Sequence, residues 1–263
     1  MARQTVLLVY GGESAESAAS IRSARSVYAA MDGEKYDALL CFIDARGKWW
    51  LLERWTDNLD EHGGSQLVAA LGSHSFLILP GNALIRPDVV VPLLSSSSEN
   101  SAVVSLTQLL HIAVVGMTAE TAAYAARLES VRAKLARKDI ALAAGDAPKA
   151  VLMVALAGPA KEMIASSVVT VVDSEGPDDT LRSVTDVALA GAALSIAQGA
   201  YESLRCRSCA LVTIHRTDYE TLQLAAVDVY PELSTSGTFL KLWRMTGRHY
   251  PEVIDTIIAT ARK

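Results

Sequence analysis

Val6-Leu7-Leu8-Val9 runs through Tyr10 into Gly11-Gly12, and a helical pattern follows in which Ala18, Ile21, Ala24, Val27 and Met31 recur at helical spacing. A continuous branched apolar run ending in a glycine pair predicts a buried strand and a tight loop. The pattern beyond it predicts a helix whose N-terminus faces that loop. This is how an α/β nucleotide- or substrate-binding domain opens.

The same alternation continues. Residues 36–43 and 47–52 predict two strands joined by a turn at Ala45-Arg46-Gly47, and residues 57–75, polar and glycine-containing, predict a surface loop with a short helix. Residues 76–79 predict a brief strand. The run 87–94, bounded by prolines, predicts a strand buried on both faces; a helix over 101–111 and a short strand over 113–116 follow. The Ala-rich stretch 118–137 predicts linker helices between two domains. Strands over 150–157 and 168–173, a long helix over 181–204, strands over 210–215 and 221–228, and a final helix from Tyr250 with Pro251 in its first turn make up the second half.

Of the 263 residues, 51% are apolar and 20% charged, which supports one large core or two moderate ones. With 24 Lys+Arg against 29 Asp+Glu the net charge is −5, which argues against nucleic acid as a partner. Cys41, Cys206 and Cys209 cannot all pair, so a reducing, cytoplasmic setting is expected. No apolar run approaches the ~18 residues that span a bilayer, so no membrane association is expected. Cys206-x-x-Cys209 lacks a second ligand pair, and the histidines show no metal spacing.

Several stretches carry a resemblance. Gly11-Gly12-Glu13-Ser14-Ala15-Glu16, Ser20-Ile21-Arg22-Ser23-Ala24, Glu34-Lys35-Tyr36-Asp37 and Phe42-Ile43-Asp44-Ala45-Arg46-Gly47-Lys48-Trp49 are similar to the N-terminal domain of the D-alanine–D-alanine ligases, members of the ATP-grasp superfamily. The resemblance implies a parallel-sheet pre-ATP-grasp domain over 1–118, a helical linker over 119–148, and a reduced ATP-grasp core over 149–263. It implies reduction because an ATP-grasp lid takes roughly 60 residues, whereas about 40 separate Asp139 from Leu181.

At the family's chemical positions the residues differ. Where it places a lysine at the linker helix this chain has Ser130. Where a strand carries an arginine and a magnesium-binding aspartate, this chain has Leu211 and Thr213, and of a later carboxylate pair only Asp228 stands. One carboxylate is too few for the metal ions of phosphoryl transfer, so neither ATP nor magnesium is an expected cofactor and no metal site is assigned.

The resemblance also places the candidate residues. Glu16 and Glu99 form an acid/base pair in loops that the family directs at one cleft. Gly11, Gly12, Ser95, Ser96, Ser97, Ser98, Asp228, Tyr230, Ser234, Thr235 and Ser236 are ligand-contact candidates. The expectation is a pseudo-ligase that binds a small amino-acid-like ligand or an active ligase partner and forms a homodimer through its first domain. The alternative is a repurposed, ATP-independent enzyme in the same cleft.

Overall fold

The structure, a computed structural model, describes residues 2–13, 17–56, 63–117, 119–144, 148–172, 180–217 and 220–261. The first half opens with β1 (Gln4–Gly11), α1 (Ser17–Ala30) and β2 (Tyr36–Ile43). Next come β3 (Trp49–Leu52), β4 (Ser65–Ala70), β5 (Ser75–Leu79) and β6 (Ala83–Ile85), and it closes with β7 (Val89–Pro92), α2 (Ser97–Leu109) and β8 (Ala113–Val114). These strands make one sheet in the order β6-β5-β4-β3-β2-β1-β7-β8. Its β2-β1-β7-β8 part is parallel and the rest antiparallel.

The apolar run of β1 divides its side chains between two cores. Leu7 and Val9 pack with Val103 and Val104 of α2, while Val6, Leu8 and Tyr10 pack with Ala24 and Val27 of α1. Burial on both faces is why no polar residue interrupts the strand.

After α3 (Ala119–Ala126), a 3-10 turn (Leu128–Val131) and α4 (Arg132–Ala136), the second half runs through β9 (Ala150–Ala157), β10 (Ile164–Ala165), β11 (Val169–Val172) and β12 (Thr180–Ser183). It continues with α5 (Val187–Ser203), β13 (Cys209–Arg216), β14 (Leu222–Asp228), α6 (Thr238–Met245) and α7 (Tyr250–Ile258). Its strands form a single antiparallel sheet, β12-β11-β9-β13-β14, with β10 paired to β9.

β9 divides its side chains as β1 does. Ala155 and Ala157 face a core that includes Trp243, Val253, Ile254 and Ile257 of α6 and α7, and Leu152, Val154 and Leu156 face Ala193, Ala197 and Ala200 of α5. The core holding α1, α6 and α7 is continuous from one sheet to the other. Helices and sheets therefore alternate in five layers, with shared apolar packing in the middle.

Three expectations are corrected. Of the loop and short helix expected over 57–75, residues 57–62 lie outside the described residues, and residues 63–75 hold no helix; β4 alternates with Leu67 inward and Val68 outward, and it pairs with β5. The helices expected over 118–137 are present as α3 and α4, which a 3-10 turn after Arg127 (φ −135, ψ 67) separates. α2 begins at Ser97 rather than 101, because Ser96 caps it. α5 begins at Val187 rather than 181, because Asp186 accepts the amides of Ala188 and Leu189 at 2.9 and 3.1 Å while 180–183 pair as β12.

Candidate functional site

Three serines on α1, spaced three residues apart, hold the surrounding loops in place. Ser20 Oγ accepts the Gly11 amide at 2.8 Å, Ser23 Oγ the Leu233 amide at 3.0 Å, and Ser26 Oγ the Thr235 amide at 3.1 Å. The helix thus anchors the glycine loop at one end and the loop after β14 along its length. Arg22 Nε donates to Glu232 Oε1 at 3.1 Å, and the Tyr250 hydroxyl donates to the Leu233 carbonyl at 2.5 Å.

A second clamp closes the turn after β7. Asn100, wholly buried, accepts the Leu94 amide at 3.0 Å and donates to the carbonyls of Leu94 at 2.6 Å and Ser96 at 3.0 Å. Tyr230 joins the halves from the other side: its hydroxyl donates to the Met117 carbonyl and accepts the Met117 amide.

Between these clamps lies a cavity of about 210 Å³. α1 contributes Ser20 and Ser23, the carboxyl end of β7 contributes Val91 to Ser95, and the second half contributes Ser208, Cys209 and residues 228–233. The cavity sits beyond the carboxyl ends of parallel strands, next to β1, where the chain order reverses; open α/β sheets place ligands there. Drug-sized ligands occupy ~300–1,000 Å³, so this volume suits a smaller occupant.

The cavity's electrostatics are one-sided. Asp228 and Glu232 line it, and no lysine, arginine or histidine does so among the described residues. Protein crowded around the Asp228 carboxyl raises its pKa, although the Tyr230 amide donates to Oδ1 at 3.0 Å and the side chain keeps access to solvent. Burial pushes the Cys209 thiol up to about 12, and the adjacent Asp228 charge pushes the same way. Ser208 is 1% exposed, and its Oγ has no hydrogen-bond partner beyond a weak pull on the Cys209 thiol. An unsatisfied hydroxyl on the wall of a cavity is available to an occupant.

The expected contact residues separate. Ser95, Asp228 and Tyr230 line the cavity. Ser96 caps α2 and contacts Ser98 Oγ at 2.6 Å, and Ser97 is exposed on the helix. Ser234 is buried and donates to Glu232 Oε1 at 2.6 Å, with Ser236 Oγ 3.0 Å away; Thr235 is held on α1. Gly11 and Gly12 take φ of +95 and +104, and a Cβ on Gly12 would lie 2.9 Å from Glu99 Oε1. Glu99 Oε1 accepts the Glu13 amide at 3.2 Å, while its Oε2 is buried without a partner. Glu16 lies outside the described residues. Sequence reasoning passed over Ser20, Ser23, Asn100, Ser208 and Glu232 as site residues; the three-residue spacing of Ser20, Ser23 and Ser26 was the available signal.

Residues 5–117 match the family described as D-ala D-ala ligase N-terminus. Over 118 residues the chain is 32% identical to a D-alanine–D-alanine ligase of Staphylococcus saprophyticus, covering 44% of this chain and 33% of that one. Over 121 residues it is 29% identical to a ligase of the same name from Borrelia turicatae, covering 44% and 33%. Among solved structures, the VanG D-Ala:D-Ser ligase of Enterococcus faecalis superposes with a TM-score of 0.85 at 14% identity, covering 98% of this chain and 99% of that one. The D-alanine–D-alanine ligase of Coxiella burnetii superposes with 0.85 at 17% identity, covering 98% and 93%. Residues 5–117 are a D-alanine–D-alanine ligase-like segment. Sequence carries that likeness through the first domain, and fold carries it through the rest. The chain spans about a third of the length of the curated relatives it matches.

Of the positions where the resemblance implies other residues, Leu211 and Thr213 lie on β13. Leu211 pairs with Asp228 across β13 and β14, and Thr213 pairs with Ala226. Ser130 sits in the exposed 3-10 turn, its hydroxyl bound to the Arg127 carbonyl at 2.7 Å. Among the described residues no group of three or more His, Cys, Asp or Glu is placed to hold a metal, and no helix is long and apolar enough to cross a membrane.

Proposed function

We propose that this ligase-like chain no longer joins amino acids at the expense of ATP, and that it binds a small amino-acid-like ligand in the cavity between its halves. The observation that carries this reading is Leu211 opposite Asp228. Where phosphoryl transfer to a carboxylate needs several oxygen ligands for magnesium and cationic groups for the phosphates, β13 offers an aliphatic side chain and β14 a lone carboxylate. This donor set does not fit magnesium-bound ATP.

The one-sheet construction of the second half supports the same reading. Strands β9 to β12 occupy the stretch in which a lid would have to be built, and they belong to the same sheet as β13 and β14. The serine and asparagine clamps hold the loops around the cavity through hydrogen bonds to their main chains.

The test is a melting titration of the purified protein with Mg-ATP, with and without D-alanine, run beside a phosphate-release assay. A ligand at 100 times its dissociation constant stabilises a fold by about 2.7 kcal/mol, which a melting curve resolves. The expected result is no nucleotide-dependent shift and no phosphate. Phosphate release coupled to dipeptide formation would overturn the reading.

A further inference from the structure

The cavity holds an imbalance that an amino acid does not relieve. A free amino acid brings one cation and one anion, and each needs a partner when water is stripped away. The wall supplies acceptors for the cation. Asp228 lines the cavity with one oxygen engaged by the Tyr230 amide, and the buried hydroxyl of Ser208, on the wall of the same cavity, has a lone pair to offer. For the anion the wall supplies no lysine, arginine or histidine among the described residues, and the guanidinium of Arg22 on α1 is paired with Glu232. Ser20 and Ser23 each have one hydroxyl hydrogen left after accepting their backbone amides, and Asn100 has spent both its oxygen and its amide on the turn. The neutral hydroxyls of Ser20, Ser23 and Ser208 do not offset a carboxylate brought into a cavity that already holds Asp228.

From this we infer that the cavity selects a small aliphatic amine without a free carboxylate. The ammonium sits on Asp228 and Ser208, and the carbon body lies against Val91, Leu93, Val229 and Leu233. The inference rests on the reading that this cavity is a ligand site, and it names the ligand's chemical class. Ser208 is its independent support: a hydroxyl 1% exposed and unsatisfied costs stability in the free protein, and an ammonium proton at Oγ removes that cost. Asp228 gains in parallel, because a cation at its free oxygen offsets the crowding around it.

Isothermal titration with three isosteric probes tests this: alaninamide as the cation, alanine as the zwitterion and 2-methylpropanamide as the neutral analogue. The expected result is alaninamide binding at least about tenfold tighter than either of the others, since like charge facing Asp228 is disfavoured and a charge-assisted hydrogen bond is stronger than a neutral one. Asp228→Asn should lower alaninamide affinity about tenfold or more. Ser208→Ala should lower it several-fold while leaving the melting temperature of the free protein unchanged or raised, which separates lost binding from lost folding. Alanine binding as tightly as alaninamide would overturn the inference and leave the ligand site standing. Failure of all three probes would overturn the inference, and a stabilising shift with Mg-ATP in the same preparation would overturn the underlying reading as well.

Discussion

Tyr230 donates its hydroxyl to the Met117 carbonyl at 2.8 Å and accepts the Met117 amide at 3.2 Å, so one phenol satisfies both main-chain groups of a residue 113 positions earlier. The ring also packs on Gly116, where a Cβ would meet Tyr230 Cε1 at 3.2 Å. Tyr230→Phe keeps the ring and removes both bonds. It should cost about 1–3 kcal/mol, the penalty for stranding buried main-chain groups, measured as a lower urea midpoint at unchanged slope.

Asp228 has a pKa raised by the protein packed around it, so the folded state takes up a proton more readily than the unfolded chain. The stability associated with that proton is fully present below the unfolded carboxylate pKa and is lost as pH rises through the raised folded value. Asp228→Asn removes the dependence. At neutral pH the variant should melt higher than the parent, and the gap should close as pH is lowered through the carboxylate range.

Gly11 sits at φ +95, and a Cβ there would fall 2.3 Å from the Ile43 carbonyl oxygen. Gly11→Ala therefore meets backbone as well as an unfavourable conformation. The expected loss is at least about 2 kcal/mol by chemical denaturation, enough to lower the soluble yield.

Cys206 and Cys209 are buried, and burial pushes both thiols up to about 12; Cys41, also buried, is raised further. Thiolates are therefore scarce at neutral pH. A thiol-reactive chromophore should titrate none of the cysteines in the native protein and all three in guanidinium. Rapid modification of Cys209 in the native state would show that the cavity admits water to the thiol.

What could be read from the residues followed how local each determinant is. The strand-loop-helix opening was legible because a two-sided buried strand and a glycine turn leave their marks in adjacent residues. The caps at Ser96 and Asp186 were equally local, yet the apolar run after Ser101 drew one helix start too late and Leu181, in a strand ahead of the cap, drew the other too early. β4 was hidden because its six residues, SQLVAA, follow a glycine pair and hold only two branched apolar side chains, so the stretch reads as a loop. Asp228, Tyr230 and Ser95 were found through the resemblance. Ser23 and Ser208 were not, because Ser23 matters through an amide 210 positions away and Ser208 through the lack of a partner, and neither is written in the neighbouring residues.

The serine ladder on α1 has a consequence for how the chain is made. Ser23 and Ser26 receive their amides from Leu233 and Thr235, and Lys35 just beyond the helix pairs with Asp255 at 2.6 Å, so this helix waits for partners made about 210 residues after it. The parallel strands can form as they emerge, but the middle layer stays half-covered until residues 233–255 have been made. Nascent chains halted before residue 233 should thus present that face of α1 to chaperones, and chains released a few dozen residues later should not.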